Sequence, residues 1–203
     1  MTYESSQNTV TRWSPRERIV PAAKVMAGWL ALLWLLEAVD TVSGHSLDRF
    51  GVQPREASEL VDVVPSAFVH FGFGHLAANS LPLLVLGFVA ALSGLRRFLY
   101  AVAIIAVAGG LGVWLVAPAH TNTAGASGII FGLFGFVLLS GFVERRPLGI
   151  VVGILVAAYY GAGILGGLSP LQEGVSWQGH LLGLAAGIAA AFALRRRGDA
   201  AHQ

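Results

Sequence analysis

Ser127 stands between two glycines in GASGIIFGLFG, residues 125 to 135, inside a run apolar enough to cross a bilayer. Two further runs carry polar side chains where lipid is expected: HFGFGHLAANS, with His70, His75 and Asn79, and WQGHLLGLAAG, with His180. Ionisable groups are costly in hydrocarbon, so each is a functional candidate by default. A serine and a histidine offer a nucleophile and a base. An asparagine amide, a second histidine and the unpaired N–H groups at a helix start offer donors to a developing oxyanion. Together these are the parts needed for acyl transfer. The chain has no cysteine, which excludes a thiol nucleophile and thiolate metal sites. His75 and Asn79, four residues apart, share a helical face and read alternatively as an interfacial polar cap or half of a metal site. The metal alternative would need an unusual all-histidine set, because there is no HExxH pattern and no intramembrane carboxylate is expected near these histidines. No metal or other cofactor is expected.

The glycines around these groups recur at helical spacing. Gly128, Gly132 and Gly135 form a stripe beside the face bearing Ser127, and His180, Gly183 and Gly187 share a face of the last apolar run. Two stripes without side chains let helix axes approach closely enough to bring the Ser127 hydroxyl to His180. Leu184 is expected on another face. The first N–H groups of the Ser127 helix have no intrahelical partner and carry the positive end of its dipole, so the Ser127 N–H can donate to an oxyanion.

The elements that must position these groups are membrane helices. Of the 203 residues 55% are hydrophobic and 12% charged, which excludes an ordinary soluble domain. Six apolar runs, at residues 21–39, 75–93, 98–117, 126–143, 148–168 and 179–194, each approach the ~20 residues that cross ~30 Å of hydrocarbon, without β-barrel alternation. The expected fold is an all-α, six-transmembrane-helix bundle over residues 21–194, opened by Pro21, with a cytoplasmic tail over 1–20 and a basic cytoplasmic tail over 195–203. Residues 1–20 lack the apolar core of a cleavable signal, so the first span is expected to remain. Arg12, Arg16, Arg18, Lys24, Arg96, Arg97, Arg145, Arg146, Arg195, Arg196 and Arg197 all thread to one side, which places both termini in the cytoplasm. Ser127, His180 and the His70–Asn79 stretch then share the outer leaflet. The basic residues flank apolar runs, where they meet lipid headgroups, and nothing points to nucleic acid.

In combination the three stretches resemble the rhomboid intramembrane serine proteases. The resemblance covers about residues 54–193 and rests on HxxxxHxxxN as His70, His75 and Asn79, GxSG as Gly125, Ser127 and Gly128, and HxxGxxxG as His180, Gly183 and Gly187. It implies Ser127 as nucleophile and His180 as general base in a dyad without a third acid. It further implies an oxyanion hole of Asn79, His75 and the Ser127 N–H, with His70 in support. The chain departs from the family pattern at Val61 and Asp62, where many members carry a Trp-Arg pair. It departs again at Phe131, where many carry a tyrosine stacked on the base; phenylalanine can stack but has no hydroxyl to donate.

The expected activity is that of a serine endopeptidase cleaving membrane-anchored proteins near the outer leaflet through an acyl-enzyme, in a multi-pass protein of a bacterial plasma membrane. Its partners would be transmembrane substrates and the bilayer. The alternatives are a non-proteolytic relative that binds membrane helices, against which the presence of both Ser127 and His180 counts, and a small transporter or channel. The latter would need polar groups through both leaflets, and here they concentrate in one.

Overall fold

The structure, a computed structural model, describes residues 15–172 and 174–196. Within them the chain forms six α-helices: α1 Pro15–Val42, α2 Phe73–Leu92, α3 Leu95–Val116, α4 Ser127–Val143, α5 Pro147–Gly167 and α6 Trp177–Ala193. The helices match the apolar runs closely except at the start. Pro21 lies inside α1, which already runs from Pro15 at the start of the described residues, rather than opening it. Arg12, Arg197 and most of both tails fall outside the described residues. Four helices are long and apolar enough to cross a membrane, whereas α4 and α6 have only 17 residues each.

α4 is the central helix. Nearly every residue from Ile129 to Val137 is buried, so it shows no amphipathic stripe; a helix apolar all round is one surrounded by others. α6 packs along it most extensively, α2, α3 and α5 take its other sides, and α1 lies outermost against α2. Leu76, Leu83, Leu86, Phe98, Ile105, Leu133 and Phe136 fill the core between them.

The segment between α1 and α2 is more ordered than its composition suggests. It holds three 3₁₀ helices, Asp48–Phe50, Ala57–Val63 and Pro65–Ala67. Asp40 closes the turn after α1 by accepting from the Leu47 N–H at 2.6 Å and pairing with His45 at 2.9 Å. An isolated antiparallel bridge joins Val52 to Thr123, and the Asn122 amide donates to the Asp48 carbonyl at 2.8 Å. Arg55 donates to the Ala117 carbonyl at 3.0 Å. The loop leading into α4 is therefore tied to the first long loop before Ser127 is reached.

At the opposite end Glu144 gathers three helices. Its carboxylate pairs with Arg97 of α3 at 2.7 Å and accepts from the Arg196 N–H at 3.2 Å, and all three helix ends are fixed to one another. Arg97 is itself only 10% exposed and lies over the Phe136 ring. Removing one partner of so buried a pair costs about 3–5 kcal/mol.

Candidate active site

Ser127 is the first residue of α4, and the two N–H groups before it are both held. The Gly125 N–H donates to the Ser66 carbonyl at 2.8 Å, and the Ala126 N–H donates to Nε2 of His70 at 3.2 Å. Gly125 has φ +120°, and a Cβ there would lie 2.7 Å from the His75 ring and 3.7 Å from the Asn79 amide nitrogen. Its lack of a side chain serves both the turn into α4 and the approach of His75 and Asn79 to it.

His70 is buried to 1% exposure in the loop before α2, with its ring edge-on to His75 at 5.2 Å. Burial, with the neighbouring His75 as a second cause, pushes its pKa from the usual 6.5 down to about 4. A neutral ring can accept from Ala126, whereas a protonated one has only donors to offer. Because the folded pKa lies below the unfolded one, the unfolded chain binds more protons between these values, and stability falls as pH drops from about 6.5 toward about 4. The loss should be on the order of 3 kcal/mol, and His70→Asn should lack that part of it. Thermal melts of both proteins in detergent across this range check it; parallel pH profiles would remove His70 as the cause.

The structure gathers Ser127, His180, His75 and Asn79, with Gly125 and Gly128, around one partly open cavity of about 410 Å³. His70 stands behind it and acts through Ala126. No hydrogen bond joins Ser127 to His180 among the described residues. Their immediate neighbours are nonetheless in contact: a Cβ on Gly183 would overlap the Gly128 carbonyl, one on Gly187 would overlap the Gly132 carbonyl, and one on Gly128 would lie 3.5 Å from the Gly179 oxygen. Gly132 also faces Ile105 of α3. Leu184 does not lie on another face. Its side chain and carbonyl pack against Gly135, within 2.9 and 3.0 Å of where a Cβ would stand.

Phe131 stacks on the His180 ring, centroids 4.0 Å apart and planes 12° from parallel, and His180 Nδ1 lies 2.8 Å from the Gly167 carbonyl. Sequence reasoning missed Gly167, because a backbone acceptor leaves no mark in residue type. Glu37 of α1 is 2% exposed, and both its carboxylate oxygens are buried without a hydrogen-bond partner among the described residues. Val61 is exposed and Asp62 buried in the second 3₁₀ helix of the long loop. Asn79 Nδ2 is buried without a hydrogen-bond partner.

A family model described as the Rhomboid domain matches residues 57–197. A Mycobacterium tuberculosis protein, named only as uncharacterised, is 42% identical over 191 residues, covering 91% of this chain and 80% of the relative. A Mycobacterium leprae protein of the same standing is 37% identical over 198 residues, 94% of this chain and 76% of the relative. In Bacillus subtilis, YdcA, provisionally named a rhomboid protease, is 28% identical over 187 residues, 86% of this chain and 89% of its own.

Proposed function

The chain belongs to the rhomboid family and is a multi-pass membrane protein, and from that premise we propose that it is an intramembrane serine endopeptidase with Ser127 as nucleophile and His180 as its base. The observation that carries the reading is the unpartnered Asn79 amide. A buried donor left unpaired costs about 1–3 kcal/mol, and one beside the cavity that holds a serine and a histidine gains its partner when an oxyanion forms. Ser127 attacks the substrate carbonyl and His180 takes the hydroxyl proton. The amide nitrogen then leaves with that proton, and an acyl-enzyme remains until water, activated by His180, releases it. Asn79, His75 and the Ser127 N–H meet the negative charge that develops on the carbonyl oxygen.

The substrates proposed are membrane-anchored proteins, cleaved toward the outer face in a bacterial plasma membrane with both termini of the enzyme cytoplasmic. α5 packs on α4, and an apolar groove of about 390 Å³ separates it from α2, lined by Leu81, Val85 and Val89 on one side and Val152, Leu155 and Tyr159 on the other. A transmembrane segment lying in that groove would have to unwind locally, since a helical carbonyl is already hydrogen-bonded.

Labelling of the reconstituted protein by a fluorophosphonate tests the proposal, with Ser127→Ala as the reference. Equal labelling of both, or of neither, would overturn it. Asn79→Ala should lower kcat about 10²- to 10³-fold while changing KM by no more than about twofold, since it removes a donor used mainly in the transition state. Steady-state cleavage of a membrane-anchored reporter checks this. A raised KM with kcat intact would make Asn79 a substrate-binding residue instead.

A further inference from the structure

We propose that Gly167, the last residue of α5, is the positioning residue that makes His180 a competent base, so that the base is set only while the end of α5 is seated against α6. The inference rests on the proteolytic reading for its kinetic consequence, though not for its geometry.

A carbonyl oxygen only accepts, so the 2.8 Å contact requires His180 Nδ1 to carry the proton and donate it. A neutral imidazole has one N–H, and Nε2 is thereby left with the lone pair that receives the serine proton. In serine hydrolases with a third acid, a carboxylate fixes the tautomer in this way. Among the described residues no aspartate or glutamate lines this cavity, and the backbone of α5 takes that place. The Gly167 oxygen is available because it belongs to the last turn, where carbonyls lack intrahelical partners; the N–H groups of Leu168 and Ser169 bond to Ile164, Leu165 and Gly166 and leave Gly167 free. When His180 becomes a cation, the negative end of the α5 dipole lies beside it.

The position is closed to side chains. A Cβ on Gly167 would stand 2.5 Å from Phe131 Cζ and 3.1 Å from His180 Nδ1, so Phe131, the imidazole and Gly167 form one close-packed group drawn from α4, α6 and α5. Glycine there lets the helix end approach the ring. α5 is otherwise held by α4, through Gly141 against Gly149 and Gly153 against the Leu138 carbonyl. A displacement of its end by about 1 Å leaves no hydrogen bond at Nδ1, and with it goes the preference for the productive tautomer.

The test uses the full chain in lipid nanodiscs. Nitrogen-15 spectra of His180 in the parent should show the Nδ1-protonated form; the opposite tautomer there would overturn the proposal without reference to activity. Gly167→Ala should mix the tautomers and lower kcat about 10²-fold, with KM within about twofold and an altered pH profile. Gly166→Ala, where nothing lies within 4 Å of a Cβ, should keep the parental spectrum and kcat. A Gly167→Ala protein with parental tautomer and parental kcat, or one whose kcat falls only in proportion to lost folded protein, would also overturn it. A parent that shows the expected tautomer yet neither cleaves a reporter nor takes up a fluorophosphonate sinks the proteolytic reading and leaves Gly167 as the group that orients His180.

Discussion

Ser127→Ala and His180→Ala should each reduce cleavage of a membrane-anchored reporter by more than about 10⁴-fold, and the double variant should be no slower than either single one. A nucleophile without its base and a base without its nucleophile are equally idle, so the two losses do not add. What rate remains would come from Asn79, His75 and the Ser127 N–H, which polarise a carbonyl whether or not a serine attacks it. Both variants should fold, because Ser127 is half-buried and makes no side-chain hydrogen bond among those described, and α6 keeps its place against α4 through Gly183 and Gly187. His180→Ala does lose the stack on Phe131 and the Gly167 contact, so a fall of a few degrees in melting temperature is expected for it alone. Reporter cleavage and fluorophosphonate uptake in matched proteoliposomes give the measurement. Substantial turnover by Ser127→Ala would assign the chemistry to another group.

Gly183→Leu should be the most damaging change that touches no reacting atom. The atoms it meets are backbone: Gly128 on α4, one residue after Ser127, and across the other side Gly109 of α3, whose own Cβ would lie 3.5 Å from the Gly183 Cα. A flexible side chain can move aside, but a helix backbone shifts only with its whole helix. The energetic cost should therefore reach the upper end of the ~1 to 3 kcal/mol typical of overpacking, or exceed it. The separation of α4 from α6 by an ångström or more should lower turnover at least about 10²-fold. Gly163→Leu, the same substitution at a site of α5 with nothing within 4 Å of a Cβ, is the control and should stay near parental. Leu184, in contact with Gly135, cannot serve as one, whereas Leu181→Val, on an exposed position of the same helix, can. Near-parental turnover in Gly183→Leu would refute the close-contact account of the glycine stripes.

The apolar runs located the helices because a bilayer imposes one dominant requirement, and hydropathy measures it directly. The error at α1 has the same origin. Residues such as Arg16, Glu17 and Arg18 carry the helix beyond the lipid-facing stretch, and hydropathy reports contact with lipid rather than helical backbone. The long loop was not legible, because its order depends on distant pairs such as Val52 with Thr123 and Arg55 with Ala117, which leave no local periodicity. Leu184 was misplaced by helical arithmetic taken too narrowly. It sits about 100° from Gly183, and the arc that α6 presents to α4 is wide enough to include both. His70, His75, Asn79, Ser127 and His180 were singled out because polar groups in apolar runs need a reason, and a residue type carries that signal. The Gly167 carbonyl had none to give.

The two helices that carry Ser127 and His180 are the shortest of the six. At 1.5 Å per residue their 17 residues reach about 25 Å, some 5 Å less than the hydrocarbon of an average bilayer. One end is pinned by Glu144 with Arg97 and Arg196, so the deficit collects at the other, where α4 begins with the serine. α4 itself is enclosed by the other helices, so it is along the exposed side of α6 that lipid must bend inward or yield to water, at a cost of fractions of a kcal/mol per ångström of mismatch. On the proposed reading acyl-chain length becomes a variable of the reaction: thin membranes should bring the interface down to Ser127, and thick ones should leave it deeper in hydrocarbon, farther from the water that deacylation needs.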